Sequence, residues 1–224
     1  LGFSDHVPWP YKNGYVHPTV RMHISQMPEY LASVRALAEK YRGQIRILTG
    51  FECEYFPDYM GWLADMKAEN GLDYLILGNH YDHDDEHGFY FGHTRTAEQI
   101  RRYVDSAVKG LETGLFSYLA HPDLIQFTGS ESIYRREMER LCLAAKERNI
   151  PLELNLLGLR ANRAYPSARF FQIAKDCGST IVAGIDAHDP NCFFQPETFE
   201  PYQKFVAACG LTVTDEITLR PVKR

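Results

Sequence analysis

Apolar positions along the chain fall into short continuous runs that alternate with longer stretches where they recur every three or four residues. The short runs read as strands: Leu1–Asp5, Ile45–Phe51, Leu72–Asn79, Leu115–Ala120, Pro151–Asn155 and Thr180–Gly184. Between them the helical period appears. Pro28 opens a pattern in which Tyr30, Leu31, Val34, Leu37, Ala38 and Tyr41 share one face, and Gly43 stops it. Pro57 starts a second helix carrying Met60, Leu63, Ala64 and Met66, ended by Asn70-Gly71. A third, from about Thr96, presents Ile100, Tyr103, Val104, Ala107, Val108 and Leu111. Further helices are predicted over about 130–148, after Tyr165-Pro166 (Ala168, Phe171, Ile173, Ala174), and from Phe199 to Cys209. Two short strand-like runs, Leu211–Val213 and Ile217–Leu219, close the chain. Strand followed by helix, repeated about six times, implies parallel strands, right-handed crossovers and a barrel-like closure. A doubly wound open sheet is the alternative. It is disfavoured because its functional residues gather at one switch point. With no internal repeat or low-complexity linker, residues 1–224 are expected to form one domain.

The chemistry sits where the strand-like runs end. Leu1–Asp5 leads into His6, the Ile45 run into Glu52, the Leu72 run into His80 and the Leu115 run into His121. The Thr180–Gly184 run delivers Asp186 and His188 within Gly184-Ile185-Asp186-Ala187-His188. A lone histidine after a strand is usually structural. Five runs ending in a metal-competent side chain are not explained that way, because parallel barrel strands open all their carboxyl ends onto one face. The pattern predicts a multinuclear metal site. Mixed imidazole and carboxylate ligands suit Zn, Fe or Mn better than Ca or Mg.

Composition narrows the class. At 224 residues, with 45% hydrophobic and 24% charged residues, the chain can bury a substantial core. A net charge of −5 argues against a nucleic-acid surface, which needs clustered Lys and Arg. No apolar stretch approaches the ~20 residues of a membrane span, and the first residues carry no secretory-leader pattern. The five cysteines are scattered, odd in number and without a C-x-x-C pair, so they read as reduced thiols of a cytoplasmic protein. Cys53 follows Glu52, but strand alternation points it to the opposite face.

The ordered set Ser4-Asp5-His6, Gly50-Phe51-Glu52, Gly78-Asn79-His80, Ala120-His121-Pro122-Asp123 and Gly184–His188 resembles the PHP (polymerase and histidinol phosphatase) superfamily of metal-dependent phosphoesterases. Glu153-Leu154-Asn155, Gly158-Leu159-Arg160 and Tyr165-Pro166 resemble its histidinol-phosphatase branch, as do Arg21-Met22, Glu52–Tyr55 with Tyr59, and the Asp186–Pro190 ending. The resemblance implies a distorted (β/α)7 barrel with up to three divalent transition metals. By position, Glu52 matches the carboxylate bridging the first two metals. His80 and His121 match ligands of the second, Asp186 a ligand of the first, and His6 and His188 ligands of the third. Glu52, Asp186 and His188 are thereby implied at the catalytic centre. The family's opening H-x-H strand has no counterpart here, because the chain begins at Leu1 inside a strand-like run. A first βα unit of roughly 30 residues is therefore expected to lie outside this chain, leaving the second metal alone with its full protein ligand set.

The activity the resemblance implies is hydrolysis of a small phosphate monoester, L-histidinol phosphate. The alternatives are a catalytically impaired metal-binding module and a phosphoesterase with another substrate. A nuclease-like sibling conflicts with the acidic charge balance and with the Gly158–Arg160 segment. Arg160 is the candidate for phosphate, since a guanidinium matches it bidentately. His83, His87 and His93 fall in a polar and aromatic loop, 81–95, that reads either as solvated surface or as a lid over the substrate. His17 and His23 read as structural. Asp5 and Glu54 read as surface carboxylates or as supports behind the ligands, and Asp123 as a residue that orients one.

Overall fold

The computed structural model describes residues 1–220. Seven strands form one all-parallel sheet: β1 (Gly2–His6), β2 (Leu48–Cys53), β3 (Tyr74–Gly78), β4 (Leu119–Ala120), β5 (Leu152–Asn155), β6 (Ile181–Gly184) and β7 (Val213–Thr214). Their order across the sheet is their order in sequence. That is barrel winding without a switch point, and the doubly wound alternative is excluded by it. The ladder runs from β1 to β7, and no pairing joins those two among the described residues.

Seven helices connect or follow the strands: α1 (Met27–Lys40), α2 (Met60–Glu69), α3 (Ala97–Glu112), α4 (Glu131–Glu147), α5 (Leu156–Arg160), α6 (Ala168–Asp176) and α7 (Pro196–Cys209). Their ends follow local chemistry. Thr96 closes a capping box with Gln99 at the start of α3, and Ser167 caps α6 through Phe170 N–H. Gly210, at φ 59°, ends α7 in the left-handed conformation that glycine adopts without cost. Three expectations shift. The 115–120 strand contracts to Leu119–Ala120, although Ser117 N–H still donates to Leu75 O (2.8 Å) and Leu77 N–H to Tyr118 O (3.1 Å). Ile217–Leu219 forms no strand. The last helix starts three residues early, at Pro196, because proline is pre-organised for a first turn.

Alternation divides each strand between two environments. Phe51, Cys53, Leu75, Leu77, Leu152 and Leu154 pack with the helices in the main core. Cys53 is buried there, on the face opposite Glu52, as alternation requires. The other parity faces inward. Tyr74, Ile76 and Ala120 form a small second cluster with Leu48, Tyr118 and Leu219. The Tyr74 ring fills the interior above Gly2 and Gly50, where a Cβ would overlap it. Past this cluster, at the carboxyl ends, the inward positions become polar: Glu52, His80, Glu153 and Asn155. Among the described residues, no helix is long and apolar enough to cross a membrane.

Candidate metal centre

Parallel register brings the strand-end groups together. His6 lies directly opposite Glu52 in the β1–β2 ladder. His80 follows β3 by two residues and His121 follows β4 by one. The three imidazoles form a row, with ring centroids 5.2 Å apart for His6–His80 and 4.8 Å for His80–His121. The Glu52 carboxylate meets all three. Its Oε1 is 3.0 Å from His121 Nε2 and 3.3 Å from His80 Nε2, and its Oε2 is 3.9 Å from His6 Nε2. Glu52, His80 and His121 have the spacing needed to hold one metal ion, and so do His6, Glu54 and His80. Two close-approach glycines make room: a Cβ at Gly78 would collide with Glu52 and one at Gly184 with Glu153.

The backbone at two of these positions is unusual. His121 has φ 28° and Asp186 φ 48°, both in the region that side-chain-bearing residues rarely occupy. Tertiary contacts hold them there. The His121 N–H donates to Glu153 Oε2 (2.9 Å), and the Tyr103 hydroxyl donates to Pro122 O (2.6 Å). Asp123 accepts from Ser167 N–H (2.6 Å), fastening this turn to α6. Asp186 Oδ2 accepts from Asn155 Nδ2 (2.9 Å), and the same amide donates to Glu153 (3.1 Å). Asn155 also caps α5, accepting from Gly158 N–H (2.9 Å), so one side chain joins Asp186 to the helix that bears Arg160. Strained residues fixed in this way mark places where position matters more than backbone ease.

Electrostatics favour a cation here. Burial opposes a charge on Glu52, but the His6 charge, the His121 hydrogen bond and the His80 charge outweigh it and hold the carboxyl well below the usual range. Burial would also lower His121, yet its bond to Glu52 and the charges of Glu52, Glu153 and Asp186 push it up to about 9. His6 is pushed down, chiefly by burial. Burial raises Glu153 to about 7 and Asp123 to about 6. The donor set fits a borderline transition metal. Shielded imidazole nitrogens without partners, Nδ1 of His6 and of His121, show that these rings are not fully satisfied by protein contacts.

This gives a pH prediction for the metal-free chain. His121, raised above its ordinary value, carries a proton at neutral pH, while a metal takes the neutral ring. Zinc uptake between about pH 6.5 and 9 should therefore release that proton, and affinity should weaken as pH falls through this window. The sign is the usual one for a raised histidine: the His121–Glu52 attraction stabilises the metal-free fold fully below about pH 6.5 and fades as pH rises through about 9. Calorimetry in buffers of different ionisation enthalpy reads the proton count. A pH-independent zinc affinity across the window would refute it.

The remaining sequence candidates separate. His188 is 66% exposed and touches Asp186, with Nδ1 3.3 Å from Oδ1. It is not gathered with His6, which sits instead with His80 and Glu54. Arg160 is half-buried, with Nη1 shielded and unpartnered. His83 and His87 are 59% and 74% exposed, in keeping with the solvated-surface reading of their loop. The same loop nevertheless buries Asp85, which accepts from the Tyr11 hydroxyl at 2.6 Å and pairs with Arg21. Trp9 is core, donating to Glu54 at 3.1 Å, and Phe91 is wholly buried.

Glu54 reads in the structure as the support behind the ligands rather than as a surface carboxylate. It is fully buried and accepts from His80 Nδ1 at 2.9 Å. The available signal was the period of two: Glu54 must share the face of Glu52. The same period places Asn155 beside Glu153 on the inner face.

Against this geometry, the comparisons with known proteins are decisive at the level of family. Residues 1–156 match the family model described as PHP domain. The chain belongs to the PHP domain family. Within reach of this PHP chain are two curated relatives. One, named "Probable histidinol-phosphatase", is from Deinococcus radiodurans and is 28% identical, over 85% of this chain and 75% of that protein. The other is the histidinol-phosphatase of Bacillus subtilis, 27% identical over 93% of this chain and 87% of its own length. Among solved structures, the histidinol phosphate phosphatase of Lactococcus lactis, in complex with zinc, L-histidinol and phosphate, superposes with a TM-score of 0.67 at 15% identity. That match covers 95% of this chain and 82% of the other, and establishes the shared PHP fold.

Proposed function

We propose that this protein is a metal-dependent histidinol-phosphatase, hydrolysing L-histidinol phosphate to L-histidinol and phosphate. The observation that carries the reading is the convergence of Glu52, His80 and His121 at consecutive strand ends of a PHP chain whose curated relatives bear that name. Glu52, His80 and His121 would hold one metal, and Asp186, at the end of β6, would be a ligand of a second. His6, gathered with His80, would serve a further metal, and His188, exposed beside Asp186, stands outside the gathered groups. Zinc, iron and manganese all suit these donors, and zinc is the ion in the Lactococcus relative. Metals held here supply Lewis acidity: they neutralise phosphoryl oxygens and lower the pKa of a bound water.

The chain's own residues do the rest. Glu52 stays ionised through any working pH, so its charge is always available. Glu153 and Asn155 hold His121 and Asp186 in their strained backbone conformations. Arg160, at the end of α5 with an unpartnered Nη1, takes the phosphate, and the rings of Tyr81 and Tyr90, 5.4 Å apart in the loop after His80, offer a surface for the imidazole end of the substrate.

Arg160→Ala should lower kcat/KM for L-histidinol phosphate by about 10²-fold, the scale for one lost charge-stabilising donor, with fold and metal content unchanged. Turnover of histidinol phosphate by the metal-loaded protein is the direct test. Unchanged turnover in the variant removes Arg160 from the site. Inactive wild type that cleaves another phosphomonoester moves the substrate elsewhere within the family.

A further inference from the structure

We infer that Arg21 is a positioning residue for the metal centre. It fixes Glu54, which holds the His80 ring with Nε2 turned toward Glu52, and through Asp85 it ties that ring to the 81–95 loop. The inference rests on the reading that His80 holds a metal.

Arg21 belongs to no helix or strand, lying in the segment between β1 and α1, yet it is buried. Its nitrogens reach three separate parts of the fold. Nη2 is 2.6 Å from Glu54 Oε1, Nε pairs with Asp85 Oδ2, and Nη1 donates to Val7 O at 3.0 Å. One guanidinium thus sits between two buried carboxylates, an arrangement that only a planar fork with several fixed donors can serve.

Glu54 has no oxygen to spare. Oε1 takes Arg21 and His80 Nδ1, and Oε2 takes the Trp9 indole N–H. Although Glu54 is within ligand spacing of His6 and His80, both of its oxygens are already engaged, and the Arg21 charge helps hold its pKa down to about 2 against burial. It acts on the ring instead. A carboxylate accepting Nδ1–H selects the tautomer whose Nε2 lone pair is free, the usual support behind a metal-bound histidine. Here Nδ1 is 2.9 Å from Glu54 while Nε2 is 3.3 Å from Glu52.

Asp85 carries the connection outward. It accepts from Tyr11 and Arg21, its backbone oxygen accepts from the Tyr15 hydroxyl at 3.1 Å, and its backbone N–H donates to the Tyr11 hydroxyl at 3.3 Å. The loop that leaves His80 therefore returns to grip the arginine that sets His80. Undocking the loop should loosen Arg21 and with it the ring.

Removing Arg21 altogether would leave two buried carboxylates uncompensated, so the test uses Arg21→Lys, which keeps the charge without the fork, and Asp85→Asn. Two readouts are needed: zinc affinity by competition with a chromophoric chelator, and the His80 tautomer from imidazole ¹⁵N shifts of the metal-free protein. In folded Arg21→Lys and Asp85→Asn, zinc affinity should fall roughly 10–100-fold, the range for lost support behind a ligand, and His80 should become a tautomer mixture. Adding Arg21→Lys to Glu54→Gln should cost little beyond Glu54→Gln alone, since both act along one path. Unchanged tautomer and affinity in folded Asp85→Asn would overturn the inference even if Arg21→Lys fails to fold. His80→Ala isolates the underlying reading: undiminished zinc binding there would remove His80 from the metal, while the tautomer measurement would still decide the role of Arg21.

Discussion

Glu52→Gln should leave the protein folded, strip most of its metal and lower kcat/KM by about 10³-fold or more. The amide has the size of the carboxylate, so the space left by Gly78 stays filled and the strand register is undisturbed. What changes is charge. Glu52 is the one anion that all three imidazoles of the row approach, within 3.0 to 3.9 Å. Without it, the hydrogen bond and attraction that do most to raise His121 disappear, and only the charges of Glu153 and Asp186 remain to oppose burial. A shared carboxylate that positions metal for phosphoryl transfer is worth several kcal/mol in the transition state. About 4 kcal/mol corresponds to 10³-fold in rate. Elemental analysis, circular dichroism and steady-state kinetics on one preparation check it. Metal content and turnover within threefold of wild type would show that the cluster is structural.

Phe51→Ala should act through the fold. Phe51 is fully buried on the helix-facing side of β2, one residue before Glu52, and its ring lies 5.0 Å from that of Tyr30 in α1. Truncating a buried phenylalanine costs about 3–5 kcal/mol from lost transfer free energy and the cavity left behind. In a chain of this length that lowers the melting temperature by roughly 6–20 °C. Because the cavity opens behind the strand that presents Glu52, zinc affinity should drop as well, though by less than in Glu52→Gln. Thermal melts with and without zinc separate the two effects. A melting temperature within 2 °C of wild type would mean that the core closes over the gap.

The sequence was most legible where one residue type meets one structural period. Glu52, His80 and His121 could be named because each ends an apolar run, and parallel strands expose such ends on one face. The windings of α1 and α3 were readable from apolar spacing alone. Legibility failed where geometry depends on distant partners. Nothing local to Glu54 announces Arg21, thirty-three positions earlier, or tells that Asp85 will bury itself in an otherwise solvated loop. α5 escaped because five residues with an internal glycine, Gly158, are too few to display a period. β4 contracted because only Leu119 and Ala120 find ladder partners on β3. For His188, implied by resemblance as a companion of His6, the structure shows an exposed ring in contact with Asp186.

The Tyr74 cluster has a consequence for traffic. Tyr74, Ile76 and Ala120 pack the interior beneath the strand-end groups, so those groups are reached from the carboxyl-end side. Whatever enters to be cleaved must use the same passage as the two fragments that leave. If Arg160 holds phosphate as proposed, a spent phosphate there would block the next arrival, and the pace of the cycle would depend on how quickly that exit clears.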